Sequence, residues 1–396
     1  MRTDLMTGLR YSITQNEITR RHQVLRQFMK KNDLGVLLIL YPYEEGYRQW
    51  ITGVDGTEKR SETCFVVPSE GDIYQIIGNR MLESEGTAEQ PEGVLPDPEE
   101  AFDGVRTIYY FSAFDISEYL KQSGKKYIGV VHGHEIRAEM KDYLGKYRLT
   151  AQSIDVTEKL RIERAKKSDE EIHLLRNAVH LQDRVLDGLK GYLQPGMLEA
   201  EAVRYARYLA NHLESGSIDN MQSAQIKLIS WKGEQEAVPL MYPGRYFHSE
   251  DIICLTTRII GDSGFYGTIS RCMSFSEPSE IIKRAYDQLK DVTALAEKYL
   301  YPGITIKDIK EKLYSSFPDF PWEKNQNMIH GIGYCVVEAP DEKYSADMQL
   351  QENMVLALEL KQRVEKGSTI SLGNVYYINE TGAECLNRTN KEWILI

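Results

Sequence analysis

A repeat within the second half of the chain constrains the fold more than any other sequence feature. Two segments share the same spacing of apolar residues before a Pro-Gly pair, and Pro195-Gly196 recurs 107 residues later as Pro302-Gly303. Leu175, Ala178, Val185, Leu189 and Leu193 of the first segment correspond to Ile282, Ala285, Val292, Ala296 and Leu300 of the second. This spacing is typical of an amphipathic helix, and two copies are too few for a solenoid. We therefore predict one domain built from two similar helix–helix–sheet halves about a pseudo-twofold axis.

The first half of the chain has the pattern of an α/β layer. Thr14 and Glu17 form a capping box that opens an amphipathic helix ending near Asp33. Four apolar runs then predict strands, at 35–40, 64–67, 73–77 and 127–131. A basic run at 159–167 precedes a second capping box, Ser168 with Glu171, and indicates a new domain. We place the domains at 1–157 and 158–396.

Charge and apolar run lengths exclude several classes of protein. The 396 residues include 48 Lys and Arg against 59 Asp and Glu, a net charge of −11. A surface of that sign repels phosphate backbones and anionic lipids, so we expect no nucleic-acid and no membrane partner. Apolar runs are far shorter than the roughly 18 to 20 residues that span a bilayer, and no signal-peptide pattern opens the chain. We therefore expect a cytoplasmic location.

Three segments carry side chains that could perform chemistry. His330 is followed closely by Gly331 and Gly333. In the run 354–360, an alternating strand pattern places Leu356, Leu358 and Leu360 on one face and Glu359 on the other. The segment 264–271 ends on Arg271, which suits an anionic ligand. Each segment alone also fits a plainer interpretation: a hydrogen-bonded core histidine, a glutamate facing solvent, and a surface arginine at a strand end.

Taken in order, these segments resemble the pita-bread domain shared by aminopeptidase P, prolidase, methionine aminopeptidase and creatinase. The resemblance covers 161–396 and includes the two Pro-Gly helix ends, the run 264–271, His330 with Glu338-Ala-Pro340, and the run 354–359. Residues 1–157 are similar to the creatinase-type N-terminal domain, through Trp50 to Gly53 followed by Arg60. The resemblance implies an α/β N-terminal creatinase-type domain, an α+β pita-bread C-terminal domain with the pseudo-twofold internal repeat, and a homodimer. We expect the N-terminal domain of one subunit to close the pocket of the other, with the stretch from Trp50 to Arg60 as a protruding loop at that mouth.

The peptidases of this family hold two divalent metals with two aspartates, one histidine and two glutamates. The resemblance places these five positions at Thr257, Thr268, His330, Glu359 and Gly373, so that only the histidine and one glutamate remain. One His and one Glu are too few ligands for such a metal pair, and we expect neither a metal nor another cofactor. A shifted alignment that recruits Asp251, Asp262 or Glu380 is the alternative.

These residues predict a metal-independent creatinase-like hydrolase or lyase that acts on a C–N bond of a small metabolite. His330 is the expected general base or acid, Glu359 its electrostatic or nucleophilic partner, and Arg271 the anchor of an anionic group, with Thr257, Thr268 and Arg60 also contacting the substrate. A pseudoenzyme that binds a ligand or partner without turnover is the first alternative. An X-Pro metallopeptidase of the aminopeptidase P or prolidase type is the second.

Overall fold

The computed structural model describes most of the chain and divides it into two compact units, residues 13–163 and residues 164–396. The described residues are 13–40, 46–53, 63–77, 104–108, 113–132, 145, 149, 152–213, 225–232, 245–261, 263–322, 327–364 and 369–396. The helix α4 (Thr157–Ala165) spans the division between the two units.

A six-stranded mixed sheet forms the centre of the first unit. The elements are α1 (Gln15–Lys31), β1 (Leu34–Leu40), α2 (Tyr47–Thr52), β2 (Thr63–Pro68), β3 (Ile73–Ile77), β4 (Val105–Ile108), α3 (Ala113–Ser123), β5 (Tyr127–Val131) and β6 (Ser153–Asp155). The strands lie in the order β4-β3-β2-β1-β5-β6, with β1 antiparallel to β2 and parallel to β5. All four strands predicted from apolar runs are present, and the α/β prediction is confirmed.

Local signals account for the first helix, but the segment after β1 differs from our expectation. Thr14 caps α1 by accepting a hydrogen bond from the backbone N–H of Glu17. Trp50, expected in a protruding loop, is buried in α2, and its carbonyl accepts a hydrogen bond from Nη1 of Arg21. A left-handed Gly53 ends that helix at φ +72°. The protruding-loop prediction is therefore wrong for Trp50, because its large apolar side chain is more stable in the core.

An eight-stranded sheet forms the centre of the second unit. The helices are α5 (Asp169–Lys190), α6 (Glu199–Leu213), α7 (Glu280–Lys298) and α8 (Ile306–Ser316). The strands are β7 (Gln225–Lys232), β8 (Asp251–Ile260), β9 (Tyr266–Ser274), β10 (Ile329–Gly331), β11 (Val355–Arg363), β12 (Thr369–Asn379), β13 (Gly382–Cys385) and β14 (Ile394–Leu395). The main path of the sheet is β10-β11-β12-β9-β8-β7, with β13 added to β12 and β14 added to β9.

The two copies of the sequence repeat become two helix pairs on the sheet. Helices α5 and α6 share a core with β7, β8 and β9, whereas α7 and α8 share a core with β11 and β12. Each pair turns at its Pro-Gly dipeptide, where Gly196 has φ +86° and Gly303 has φ +97°. Ser168 opens α5 with the predicted capping box. The α+β pita-bread prediction, with an internal repeat, is confirmed.

Candidate active site

Strand pairing brings three polar side chains to one face of the sheet. Arg258 on β8 pairs with Thr268 on β9, and Glu359 on β11 pairs with Gly373 on β12. Gly373 in turn pairs with Ser270 of β9, which joins the two halves of the sheet. Side chains directly opposite each other on paired strands project from the same face. Arg258, Thr268 and Glu359 therefore converge.

Glu359 is the centre of this group. Its Oε1 accepts a hydrogen bond from the Thr268 hydroxyl at 2.7 Å and lies 3.3 Å from Nε of Arg258, while its Oε2 is bonded to Nη2 of Arg258. Burial on its own raises the pKa of Glu359. The charge of Arg258 and the bonds from Arg258 and Thr268 outweigh burial and hold that pKa below its ordinary value. Glu359 is therefore a carboxylate at neutral pH.

His330 lies on β10, opposite Ala357 of β11. Glu359 follows Ala357 by two residues on β11, on the same face of that strand. Its ring is buried, and Nδ1 is 2.9 Å from the carbonyl oxygen of Gly331. Because a carbonyl can only accept, Nδ1 carries the hydrogen, and Nε2 of the neutral ring carries the lone pair. Burial lowers the pKa of His330, although the charge of Glu359 acts in the opposite direction. The imidazole is therefore held neutral and able to take a proton at Nε2.

Close contacts leave little room for a side chain at the glycines around His330 and Glu359. A Cβ on Gly331 would lie 2.2 Å from the carbonyl oxygen of Ala339, and one on Gly333 would lie 2.4 Å from a carboxylate oxygen of Glu338. At Gly373 a Cβ would be 3.0 Å from the Cβ of Ser270 and 3.3 Å from Cγ of Glu359. At Gly331 and Gly333 the close approach is made by Ala339 and Glu338 of the protein itself.

Thr257 lies on the other face of β8. Its hydroxyl donates to Oε1 of Gln182 on α5 at 2.8 Å, and Nε2 of Gln182 donates to the carbonyl of Ile259 at 3.0 Å. Successive residues of a strand point to opposite faces, so Thr257 and Arg258 cannot both face Glu359. Contact of Thr257 with a ligand at Glu359 is not compatible with this arrangement.

Arg271 is fully buried, and the protein itself uses all of its donors. Nε bonds the carbonyl of Asn390, Nη1 bonds the carbonyls of Ser270 and Gly373, and Nη2 bonds Oδ1 of Asn374 and the carbonyl of Thr389. A guanidinium has five N–H groups, and these are five bonds. The expectation that Arg271 anchors an anionic ligand does not fit, because no N–H remains for it. Arg60 lies outside the described residues.

The side chains at this site do not fit the metal pair that the resemblance implies. His330 and Glu359 are present, but Thr268 offers only a hydroxyl, and a cationic side chain, Arg258, is bound to the glutamate. No cluster of three or more His, Cys, Asp or Glu side chains suited to a metal occurs among the residues that the structure describes. Of the residues that a shifted alignment would recruit, the two that the structure describes, Asp251 and Glu380, do not join this site. Asp251 is bound through both oxygens to Arg245, Glu380 lies in the turn after β12, and Asp262 lies outside the described residues.

Arg258 is a site residue that the sequence did not single out. The spacing of the metal ligands in the family that this chain resembles pointed instead to Thr257. That residue lies one position earlier, on the opposite face of the strand. One signal was present, because Arg258 is the only charged residue in the run 252–260. A single charge inside an apolar strand needs a partner, and Glu359 is that partner.

Comparison with known proteins shows what this chain is similar to. The model of metallopeptidase family M24 matches residues 173–380. The uncharacterized peptidase YqhT of Bacillus subtilis is 23% identical over 255 residues, which cover 62% of this chain and 69% of YqhT. An Xaa-Pro dipeptidase from Bacillus anthracis superimposes with a TM-score of 0.72 at 15% identity, covering 96% of this chain and all of that one. The prolidase from Pyrococcus horikoshii gives 0.68 at 18% identity, covering 94% and 99%. At such identities the two structures show the fold alone.

Proposed function

Since this chain belongs to metallopeptidase family M24, we propose that it is a hydrolase or lyase of that fold which cleaves a C–N bond of a small metabolite without a bound metal. The observation that carries the proposal is the buried imidazole of His330, bonded through Nδ1 to the carbonyl of Gly331, near a carboxylate that Arg258 and Thr268 bond. This pairing supplies a base and a group that stabilises the charged base without a bound metal.

The proposed reaction uses Nε2 of His330 for both proton transfers. In hydrolysis, Nε2 accepts a proton from water as the water oxygen attacks the carbon of the C–N bond. The imidazolium then returns that proton to the nitrogen, which leaves as the C–N bond breaks. The charge of Glu359 favours the imidazolium, since it raises the pKa of His330 against the effect of burial. A general base of this kind contributes about 10²- to 10⁴-fold in rate.

A non-catalytic ligand-binding role is the second candidate, and one contact favours it. Both oxygens of Glu359 are bonded to Arg258 or Thr268, so the carboxylate is not poised as a nucleophile. His330 and Arg258 can still bind a ligand in that case. The X-Pro peptidase activity in the names of the solved relatives is a third outcome of the same experiment.

The experiment compares wild-type protein with His330→Ala on small amides, ureido compounds and X-Pro dipeptides, each with and without chelator. The proposal expects turnover that survives chelator and falls by about two to four decades in His330→Ala, with an unchanged circular dichroism spectrum. His248→Ala, at an exposed histidine, is the matched control and should retain activity. Activity abolished by chelator and restored by manganese would instead establish a metallopeptidase. Ligand-induced stabilisation without turnover on any substrate would establish the pseudoenzyme.

A further inference from the structure

The position of Arg258 suggests a role beyond a structural ion pair. Its side chain is 28% exposed, whereas the side chain of its partner Glu359 is only 5% exposed. Nε and Nη2 are the nitrogens that bond Glu359, and Nη1 takes no part in that pair. The side chain of Arg258 is therefore partly open to solvent, and Nη1 is the nitrogen left out of the pair with Glu359.

The negative charge of Glu359 beside His330 is paired with a positive side chain of the protein, without a bound metal ion. The charged groups that act on it are Glu359, Arg258 and Glu342. Glu342 is used elsewhere, because its Oε1 accepts from the backbone N–H of Met328 and its Oε2 is bonded to Lys310. Arg258 therefore compensates the charge of Glu359. A second cation bound there would meet like charge at short range, which opposes its binding.

The same balance determines which ligands the site can accept. A cationic ligand finds the oxygens of Glu359 already bonded to Arg258 and Thr268. An anionic group can instead bond Nη1 of Arg258, and arginine binds carboxylates strongly through charge-assisted hydrogen bonds. Nε2 of His330 remains for the part of the ligand that gives or takes a proton.

We propose that Arg258 is the permanent cation of this site, which excludes divalent metals and binds the carboxylate of a small acidic substrate or ligand through Nη1. The choice of ligand rests on the proposed function, whereas the exclusion of metals stands without it. Arg258 is thereby a specificity-determining residue, in the anchoring role that we first expected for Arg271.

The first test measures manganese binding by calorimetry in two matched double variants. Arg258→Asp with Thr268→Asp puts two new carboxylates on the face of His330 and Glu359. Thr257→Asp with Thr268→Asp adds the same two carboxylates but keeps Arg258 and directs one of them toward Gln182. We expect the first variant to bind manganese at least about tenfold more tightly than the second and than wild type. Equal binding by both variants, or tight binding by wild type, would overturn the exclusion of metals.

The second test keeps the wild-type fold and uses ligands that differ only in charge. N-acetylglycine, N-carbamoylglycine and N-acetylproline are each compared with their own terminal amides by thermal shift. We expect at least one acid to raise the Tm by about 2 °C or more while its amide does not, and methylguanidine to give no shift. Arg258→Gln should weaken the acid about tenfold or more.

Arg176→Gln is the matched control, since Arg176 makes a two-pronged ion pair with Glu384 outside the site. That variant should bind the acids as wild type does. Equal shifts from acids and amides, no shift from any acid, or undiminished binding in Arg258→Gln would each refute the carboxylate assignment. These measurements need no turnover. A failure of the proposed reaction in the His330→Ala assay is therefore distinguishable from a failure of this inference.

Discussion

At Glu359, burial and charge act in opposite directions on one carboxyl group. Burial alone raises its pKa, because an isolated carboxylate is poorly solvated in the protein interior. The adjacent guanidinium of Arg258 reverses the direction. At a site without the family's other carboxylates, an ionised Glu359 thus depends chiefly on Arg258, with a further hydrogen bond from Thr268.

The burial of His330 predicts that the protein loses measurable stability when the pH falls. Burial lowers its pKa in the folded state below the ordinary 6.5, so at intermediate pH the unfolded chain binds a proton that the folded chain does not. The stability that neutral His330 contributes is present above pH 6.5 and is lost as the pH falls. We expect the free energy of unfolding in urea to fall more between about pH 7.5 and pH 5 in wild type than in His330→Gln. His248→Gln, at an exposed position, should follow wild type, and parallel curves for all three proteins would contradict the prediction.

The close contact at Gly331 predicts that any side chain introduced there destabilises the protein. Gly331→Ala places a Cβ against the backbone carbonyl of Ala339, which cannot rotate away, and should destabilise the protein by about 1–3 kcal/mol or more. Gly191→Ala is the matched control. Gly191 has right-handed φ −75°, and the nearest atom to a new Cβ is at 3.8 Å, so that change should be neutral or slightly stabilising. Denaturant midpoints of the two variants give the comparison, and similar midpoints would contradict the close contact between Gly331 and Ala339.

At the scale of elements, the turn between β8 and β9 decides which side chains face Glu359. Gly261 donates to the carbonyl of Phe265, and Gly264 adopts φ +82° in the turn. This turn pairs Ile260 with Tyr266, and the register then continues to Arg258 opposite Thr268. A slip of one residue in the hairpin would exchange the two faces of a strand. The charge of the site is therefore a consequence of the hairpin register.

The hairpin register predicts different pH behaviour for two threonines. Thr257→Val removes the bond to Gln182, and Thr268→Val removes the bond to Glu359. Each should cost about 1–3 kcal/mol, but only Thr268→Val also raises the pKa of Glu359. A lowered carboxyl pKa gives stability that is present above the ordinary 4.5 and lost at lower pH. The cost of Thr268→Val should thus be larger near pH 7 than near pH 4, and the cost of Thr257→Val about equal at both. Urea titrations at the two pH values measure the difference, and the opposite pattern would place Thr257 at the site.

At the scale of the whole molecule, the expected partners and the expected assembly remain predictions. The net charge of −11 disfavours nucleic acid and anionic membranes as partners. Within the part of the chain that the structure describes, no helix has the length and apolarity needed to span a bilayer.

A homodimer is the assembly expected from the family resemblance. Light scattering at micromolar concentration should give twice the mass of one chain, with no dependence on dilution in that range. Size-exclusion chromatography in high salt is the control, since an assembly through a large apolar interface withstands screening of surface charges. A monomeric mass in both measurements would end this prediction.

The elements and their amphipathic faces could be predicted from the amino-acid sequence. Thr14 and Ser168 cap helices where predicted, both Pro-Gly pairs end helices, and the leucines of β11 line the core while Glu359 faces away from it. These features depend on caps, turns and residue spacing within a few positions, which are visible in one segment at a time.

The pairing of side chains from distant segments could be known only from the folded chain. The fold placed Arg258 on Glu359, 101 residues away, turned Thr257 toward α5, and used every donor of Arg271 within the protein. The order of strands in both sheets was likewise not readable from their sequences. Such pairings depend on hairpin register and on burial, and a one-residue change of register reverses which side chain faces the site. His330 and Glu359 were therefore candidates from their own segments together with the family resemblance, while the cation beside them followed from the fold.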